Sequence, residues 1–252
     1  SPHECFAVAG DEAMTGILYA VGVGPGDPEL MTLKAVRLIQ SGAVVAYPLG
    51  GDSGTSFARE IAGSHILEGT EEFGFAVPMR VERAPASEAY DKAASHMASL
   101  LSAGRDVVLL CEGDPFFYGS AMYLVERLAP RFECEIVAGV TSLTACAGAV
   151  KRPLAARNDR LKIIPAPLDA NVIEVELANT EAAAIIKVGR HFDKVRGVIN
   201  KLGLADNAMI TERATGREEK ITRLSDMTEG ERPYFSTILI YKGSESWGDN
   251  DQ

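Results

Sequence analysis

An apolar run that opens into a loop of glycines and prolines constrains this chain more than any other feature. Residues 18–23 are apolar, the sequence GVGPGDP occupies positions 22–28, and a helical pattern begins at Thr32. Glycine has no Cβ and accepts a positive φ, so its backbone can approach a ligand closely. The residue before a proline avoids the α region, so the helix cannot start directly after the glycines, as a dinucleotide fold requires. The segment predicts a strand, an extended cradle for a group other than a phosphate, and a helix.

The succession of strand, glycine-containing loop and helix occurs twice more in the first 150 residues. After Asp106 come a strand (DVVLLC), a loop (EGDP) and a helix from Phe116 to Leu128; residues 135–150 contain a short strand, a loop (GVTS) and a helix. Such alternation is typical of a mostly parallel sheet with helices on both faces, whose ligands bind at the carboxyl ends of the strands. We therefore expect the three loops to face one cleft.

Other segments complete the N-terminal pattern. Residues 43–47 predict a strand, 49–56 a turn-rich loop and 87–102 a helix. In the helix predicted over 32–40, the spacing of apolar residues predicts a buried face made by Leu33, Val36, Leu38 and Ile39.

The texture of the sequence changes after Val150. Residues 151–160 (KRPLAARNDR) are polar and predict a linker. Beyond it, strands are predicted at 161–164, 183–188, 208–211, 219–223 and 234–241, with a helix at 192–202. The chain therefore predicts an α/β fold with two domains, at 17–152 and 160–244, the first with a mostly parallel sheet and the second with a mixed sheet of about five strands. Residues 1–16 and 245–252 are expected to be flexible tails.

Composition and charge count against several classes of function, although they allow a local basic patch. The 252 residues include 25 basic and 35 acidic side chains, a net charge of −10, whereas nucleic-acid and membrane-surface binders need a basic face. No apolar run reaches the ~18 residues of a membrane span, and no signal-peptide pattern is found. The four cysteines form no C-x-x-C pair, which favours reduced thiols in a cytoplasmic protein. We expect neither a nucleic-acid nor a membrane partner.

Motifs for other chemistries are weak or missing. The sequence GDSG at 51–54 is turn-rich, and no histidine stands in a context that would make its serine a nucleophile. The four histidines are scattered without clustered carboxylates, so no metal site is expected. There is no phosphate-binding G-x-x-x-x-G-K-[ST] motif.

Five segments together resemble a known family. The sequences GVGPGDPELMTLKA (22–35), CEGDPFFYGS (111–120) and AGVTSLTA (138–145) are similar to motifs of the tetrapyrrole methylases. The segments IIKVGR (185–190) and PYFSTILI (233–240) resemble one branch, the precorrin-2 or cobalt-factor II C(20)-methyltransferases of cobalamin (vitamin B12) biosynthesis. The resemblance extends from about Ile17 to Gly243. One departure is Ala138, where the family usually has proline.

The resemblance implies two α/β domains with S-adenosylmethionine (SAM) bound in the cleft between them, a homodimer, and methyl transfer to carbon 20 of the tetrapyrrole. SAM leaves as S-adenosylhomocysteine. The positions that it assigns to the cofactor are Pro25, Glu112, Gly113, Asp114, Phe117, Thr141, Ser142, Lys187, Ala208 and Thr237. Asp114 and Tyr118 are the candidates for catalysis, as a base for the proton of carbon 20. Asp114 has a second possible role, as a helix N-terminal cap before Pro115.

The tetrapyrrole substrates of this family carry many carboxylates, so an acidic protein must offer local positive charge. The linker is rich in basic residues, and basic residues elsewhere in the chain are further candidates. The candidates for substrate binding are Lys34, Arg59, Arg152, Arg157 and Arg190. Whether the substrate carries cobalt stays open, since the macrocycle itself would hold the metal.

Three alternatives remain at this point. The chain could be another methylase of the same fold, acting at a different tetrapyrrole carbon, on a modified histidine of an elongation factor or on ribosomal RNA. It could be a regulator that binds SAM without turnover. It could also be a nucleotide-binding redox enzyme, although the prolines of the first loop count against this.

Overall fold

The computed structural model describes residues 14–50, 54–77, 83–228, 230, 233 and 236–245, without the side chains of 83–86. Most of the predicted tails and of the GDSG turn lie outside these residues. Within them, the chain forms two five-stranded sheets, one on each side of the predicted linker.

The N-terminal sheet is parallel throughout. Its strands run in the order β3-β2-β4-β1-β5. The strands are β1 (Leu18–Gly22), β2 (Val44–Gly50), β3 (Glu72–Val77), β4 (Val107–Cys111) and β5 (Cys134–Val137). The predicted parallel sheet is confirmed, and all of β4 is buried, as its apolar sequence predicts.

Helices cover both faces of this sheet. One face packs against α1 (Leu33–Ile39) and α2 (Phe57–Ala62), and the other against α3 (Arg83–Ser102) and α4 (Ala121–Leu128). The helix α5 (Ser142–Ala149) follows β5 and packs instead against the second sheet.

The C-terminal sheet is mixed, as predicted. Its order is β6-β7-β10-β8-β9; β6 and β7 are parallel, whereas β10 is antiparallel to both of its neighbours. The elements are β6 (Leu161–Pro165), α6 (Ala170–Ala178), β7 (Ala182–Ile186), α7 (Phe192–Lys201), β8 (Ala208–Glu212), β9 (Lys220–Arg223) and β10 (Ser236–Tyr241).

An apolar core joins the two sheets. Leu143 and Cys146 of α5 pack against Ala184 and Ile186 of β7 and Leu239 of β10. Since these side chains are almost fully buried, this interface fixes the carboxyl edge of the first sheet against the second.

The structure corrects several details of the local predictions. Leu33 is 90% exposed, and Ala35 takes its place in the buried face of α1, because Thr32 caps the helix and turns its first residue to solvent. The loop predicted at 49–56 starts later than expected, since β2 continues to Gly50, and it is followed by α2 from Phe57. The helix predicted from Phe116 starts at Ala121. The elements α2, β3 and α6 are additional.

Candidate functional site

The three glycine loops meet at the backbone of Gly113. Gly113 donates its N–H to the carbonyl of Gly24 (2.8 Å) and its own carbonyl accepts from the N–H of Gly24 (3.3 Å). Gly139 of the third loop packs against the same carbonyl, with Gly22 beside it. The predicted convergence of the loops at one edge is therefore confirmed by parallel strands and backbone contacts.

The loops touch so closely that side chains would not fit between them. A Cβ added to Gly139 would overlap the carbonyl oxygen of Gly113, and one added to Gly22 would lie 2.5 Å from the same oxygen. Gly113 itself has a φ of 58°, a conformation that favours glycine. Glycine is thus required here for close packing of three backbones as well as for turning the chain.

Asp114 ties the second loop to the third. One carboxylate oxygen accepts from the N–H of Phe116 and the other from the N–H of Gly139, each at 2.9 Å. The first bond resembles a cap, but the chain turns through residues 115–120 before α4 starts, so Asp114 is not a helix N-cap. Its carboxylate is held between two backbone amides.

Glu112 stands beside this contact. Its side chain retains contact with solvent but is partly desolvated by the protein around it. Desolvation by these surroundings raises the pKa of its carboxyl above the ordinary value. A cationic ligand would therefore be more strongly favoured here than on an open surface.

Thr141 and Ser142 lie at the start of α5, next to Gly139. Thr141 occupies the N-cap position with extended backbone, yet its hydroxyl makes no capping bond. Both residues are half-buried. Their polar groups, with the free N–H groups of the first helical turn, are suited to a polar or anionic ligand.

The first loop also contacts the second sheet. The N–H of Asp27 donates to the hydroxyl of Thr215 (3.0 Å), and a Cβ on Gly26 would lie 3.0 Å from the carbonyl of Ala214. Pro25 is half-buried between these contacts. The loop after β8 that contains Ala214 and Thr215 was not among the predicted site residues, because 188 residues separate Thr215 from Asp27.

The second sheet brings two of its three predicted cofactor residues to this edge. Lys187 follows β7 directly, and Thr237, which is 8% exposed, lies at the start of β10 beside Thr211. Ala208 is buried at the beginning of β8 and pairs with Ile240 near the end of β10. Along β8, Ala208 lies four residues, or about 13 Å, from Glu212, which is at the cleft edge.

Phe117 and Tyr118 point in different directions from the second loop. Phe117 packs against the apolar core between the sheets, whereas Tyr118 is 47% exposed and has a φ of 54°. The two rings contact edge to face with centroids 5.1 Å apart. Tyr118 thus reaches the cleft, next to Lys187.

Two candidates for substrate binding form ion pairs away from the loops. Lys34 pairs with Glu135, at the level of Tyr19 near the start of β1. The guanidinium of Arg59 donates two hydrogen bonds to Glu72, at 3.0 and 3.1 Å. Both of these cations are already neutralised by carboxylates of the protein.

The other three basic candidates lie in the C-terminal half of the chain. Arg152 donates to the carbonyl of Asn207 at 2.6 Å, and burial, with Arg223 nearby, lowers its pKa. Arg157 pairs with Glu245. Arg190 is exposed in a short 3₁₀ turn after β7, shortly after Lys187 in the sequence.

The part of the chain that the structure describes shows no metal site and no membrane span. It has no group of three or more His, Cys, Asp or Glu side chains arranged for a metal ion. None of its helices combines the length and apolar character needed to cross a bilayer.

Residues 17–227 match the family model of the Tetrapyrrole (Corrin/Porphyrin) Methylases. A precorrin-2 C(20)-methyltransferase from Sinorhizobium sp. is 36% identical over 234 residues, which cover 89% of this chain and 95% of that protein. The cobalt-precorrin-2 C(20)-methyltransferase of Salmonella typhimurium is 30% identical, with coverage of 91% and 98%.

A longer relative and the solved structures agree with this match. The cobalamin biosynthesis protein CobIJ of Mycobacterium tuberculosis is 39% identical over 90% of this chain, but the chain spans only about half of that protein (46%). The fold is shared with a cobalt precorrin-4 methyltransferase (TM-score 0.69, 23% identity, coverage 92% and 95%). It is also shared with the uroporphyrin-III C-methyltransferase of Thermus thermophilus (TM-score 0.65, 24% identity, coverage 90% and 98%), solved with S-adenosylhomocysteine.

Proposed function

We propose a function that starts from the family: the chain belongs to the tetrapyrrole (corrin/porphyrin) methylases. Within it, the chain is a SAM-dependent C-methyltransferase that methylates carbon 20 of precorrin-2 or of cobalt-factor II in cobalamin biosynthesis. The observation that carries this proposal is the identity, 36% and 30% over nearly the full length of each relative, with two C(20)-methyltransferases.

The residues of the cleft fit the methyl donor. Glycine backbones line the edge where the loops meet, and a Cβ on Gly113 would make only ordinary contacts, the nearest at 3.8 Å to the carbonyl oxygen of Val140. Glu112 supplies a carboxyl for an ammonium group, and the start of α5 with Thr141 supplies donors for a carboxylate. SAM, when bound, provides a methyl group on a sulfonium that is already activated.

Catalysis rests on positioning. Methyl transfer needs carbon 20 in line with the methyl carbon and the sulfur, and correct placement can supply much of the rate acceleration. Asp114 contributes by fixing the second and third loops to each other through Phe116 and Gly139. Both of its oxygens serve this purpose, so we assign Asp114 a positioning role. Pro25 lines the cofactor side, and Phe117 anchors the second loop.

The proton that leaves carbon 20 needs an acceptor in the cleft. Tyr118 is the one of the two catalytic candidates whose polar group is exposed to the cleft. For the peripheral carboxylates of the substrate, Arg190 is the strongest of the five basic candidates because it is exposed beside β7. Lys34 and Arg59 would have to exchange an internal carboxylate for a substrate carboxylate.

The same proposal includes a homodimeric assembly and a cytoplasmic location. A homodimer is consistent with the apolar side chains that α6 exposes, among them Val172 and Val175. The thiols of Cys111, Cys134 and Cys146 are free, which is consistent with a cytoplasmic protein. Sedimentation velocity would report a mass near twice 26.9 kDa for the dimer.

The experiment is an anaerobic assay with SAM and either precorrin-2, which lacks cobalt, or cobalt-factor II. The products are analysed by mass spectrometry. The proposal predicts that the product gains one methyl group and that one S-adenosylhomocysteine forms per product. The preferred tetrapyrrole shows whether the substrate of this enzyme carries cobalt. If the protein binds S-adenosylhomocysteine but methylates neither compound, a methylase of this fold with another acceptor replaces the proposal.

A further inference from the structure

Two residues from opposite sides of the cleft contact each other. The ammonium of Lys187, which follows β7, lies 5.3 Å from the centroid of the Tyr118 ring in the second glycine loop. This is within the range of a cation–π contact. The sequence separates the two residues widely, so the folding of both sheets is required to bring them together.

Both residues have backbone in the left-handed region. The φ angle is 54° for Tyr118 and 58° for Lys187, although neither is glycine. Such a conformation is uncommon for bulky residues and is maintained where the surroundings impose it, often at functional sites. With this backbone, the two side chains of separate loops contact each other.

The neighbours of Tyr118 explain how its ring is held there. Phe117 packs into the core between the sheets and contacts the Tyr118 ring edge to face. Tyr118 nevertheless stays 47% exposed, and Phe116 on the other side is 52% exposed. The segment therefore presents aromatic surface to the cleft only a few residues after Asp114.

Lys187 is a cation that forms no internal ion pair in the part of the chain that the structure describes. Its side chain is exposed, and within the described ranges no carboxylate lies at ion-pair distance from it. Lys34, Arg59 and Arg157, by contrast, each pair with a glutamate. In an acidic protein, an unpaired cation at the mouth of a cleft is a suitable partner for a carboxylate of a ligand.

We propose that Tyr118 and Lys187 form a substrate clamp, which rests on the function proposed above. The Tyr118 ring lies against the flat apolar face of the tetrapyrrole, and the Lys187 ammonium binds one of its peripheral carboxylates. Because the clamp joins the second glycine loop to the second sheet, it aligns the macrocycle with the loops that hold the methyl donor. Tyr118 is then a positioning residue, and its ring matters more than its hydroxyl.

The test measures tetrapyrrole KM and kcat, together with the Kd for S-adenosylhomocysteine by calorimetry. The variants are Tyr118→Ala, Tyr118→Phe, Lys187→Met and Lys187→Arg. Lys92→Met serves as the matched control, since Lys92 is an exposed lysine on α3. Tyr118→Ala and Lys187→Met are each expected to raise the tetrapyrrole KM about tenfold; for Lys187→Met the reason is the loss of a hydrogen bond between charged groups. Neither variant should change the Kd for S-adenosylhomocysteine by more than about twofold. Tyr118→Phe and Lys187→Arg should recover most of the loss.

Each alternative gives a different pattern. If Tyr118→Phe lowers kcat about a hundredfold at unchanged KM, Tyr118 transfers a proton and the clamp is wrong. If Lys187→Met weakens S-adenosylhomocysteine and leaves the KM unchanged, the side chain serves the cofactor instead. If the parent methylates the tetrapyrrole and no variant changes the KM, the clamp alone fails; if the parent methylates neither tetrapyrrole, the proposed function fails first.

Discussion

The two sides of the cleft differ in whether backbone or side-chain atoms make most of their contacts. On the side of the first sheet, Gly22, Gly113 and Gly139 bring three backbones into contact. On the side of the second sheet, side chains such as those of Lys187 and Thr215 make contacts with the glycine loops, in addition to the backbone carbonyl of Ala214. A backbone contact of this kind tolerates no added atom, whereas a side-chain contact can be exchanged for another. We therefore expect the first side to fix the cofactor and the second to adapt to the substrate.

The largest effect is expected from Gly139→Ala. The new methyl group would overlap the carbonyl of Gly113, a backbone atom that cannot rotate away. We expect a loss of about 4 kcal/mol in the free energy of unfolding, at the upper end for single substitutions. Urea denaturation measures it.

The matched control is Gly148→Ala. Gly148 lies within α5, and an added Cβ would contact nothing within 4 Å. Alanine stabilises a helix relative to glycine by up to about 1 kcal/mol. Equal losses in both variants would show that the close approach at Gly139 is not what the fold requires.

A smaller loss is expected from Leu143→Ala in the core between the sheets. Leu143 is 4% exposed, and truncation of a buried leucine costs about 3 kcal/mol. Because Leu143 joins α5 to the second sheet, the Kd for S-adenosylhomocysteine should also rise. Leu124→Ala, equally buried but in α4, should lose similar stability without changing the Kd. A Kd that moves equally in both variants would contradict the positional argument.

Asp114→Ala tests the tie between two loops. It removes both acceptors, for Phe116 and Gly139, and should cost about 2 kcal/mol, since these groups can partly find water. Asp114→Asn retains one carbonyl acceptor and should lose about half as much. Thermal unfolding and the Kd for S-adenosylhomocysteine measure both variants. If Asp114→Asn instead keeps full stability and affinity but loses turnover, Asp114 acts in catalysis.

The smallest effect is expected at the exposed ion pair of Arg160 and Glu181. Hydrogen bonds from Arg160 lower the pKa of Glu181 from 4.5 to about 2. The carboxylate is therefore favoured in the folded state; its contribution is present above pH 4.5 and is lost as the pH falls toward 2. Glu181→Gln should lower the Tm slightly at neutral pH, and the two melting curves should converge near pH 2. A difference that persists at pH 2 would exclude this ion pair as the cause.

The sequence predicted the side built from backbone better than the side built from side chains. Apolar runs such as 107–111 and the glycines that follow them carry local signals, so the parallel sheet and the meeting of its loops could be expected. The strand β3 escaped prediction because it is a half-exposed edge strand interrupted by Gly74. Helix α6 escaped because its apolar residues do not form one clear stripe, and Val175 is 58% exposed.

Contacts between distant residues could not be predicted in the same way. The ion pairs of Lys34 with Glu135 and of Arg59 with Glu72 were not predicted, because no local pattern indicates that these residues lie beside each other. The contact between Lys187 and Tyr118 likewise depends on how the two sheets pack. Ala208 lies away from the cleft edge because the register of β8 and β10 pairs it with Ile240, near the end of β10.

The most direct test of the account is the position of the transferred methyl group. The protein would be incubated anaerobically with precorrin-2 and SAM labelled with ¹³C in the methyl group, and the product examined by NMR. We predict a single new ¹³C methyl signal, assigned to carbon 20 of the macrocycle. A methyl group at any other carbon would contradict the proposed function, although it would leave the methylase fold and its three-loop edge intact.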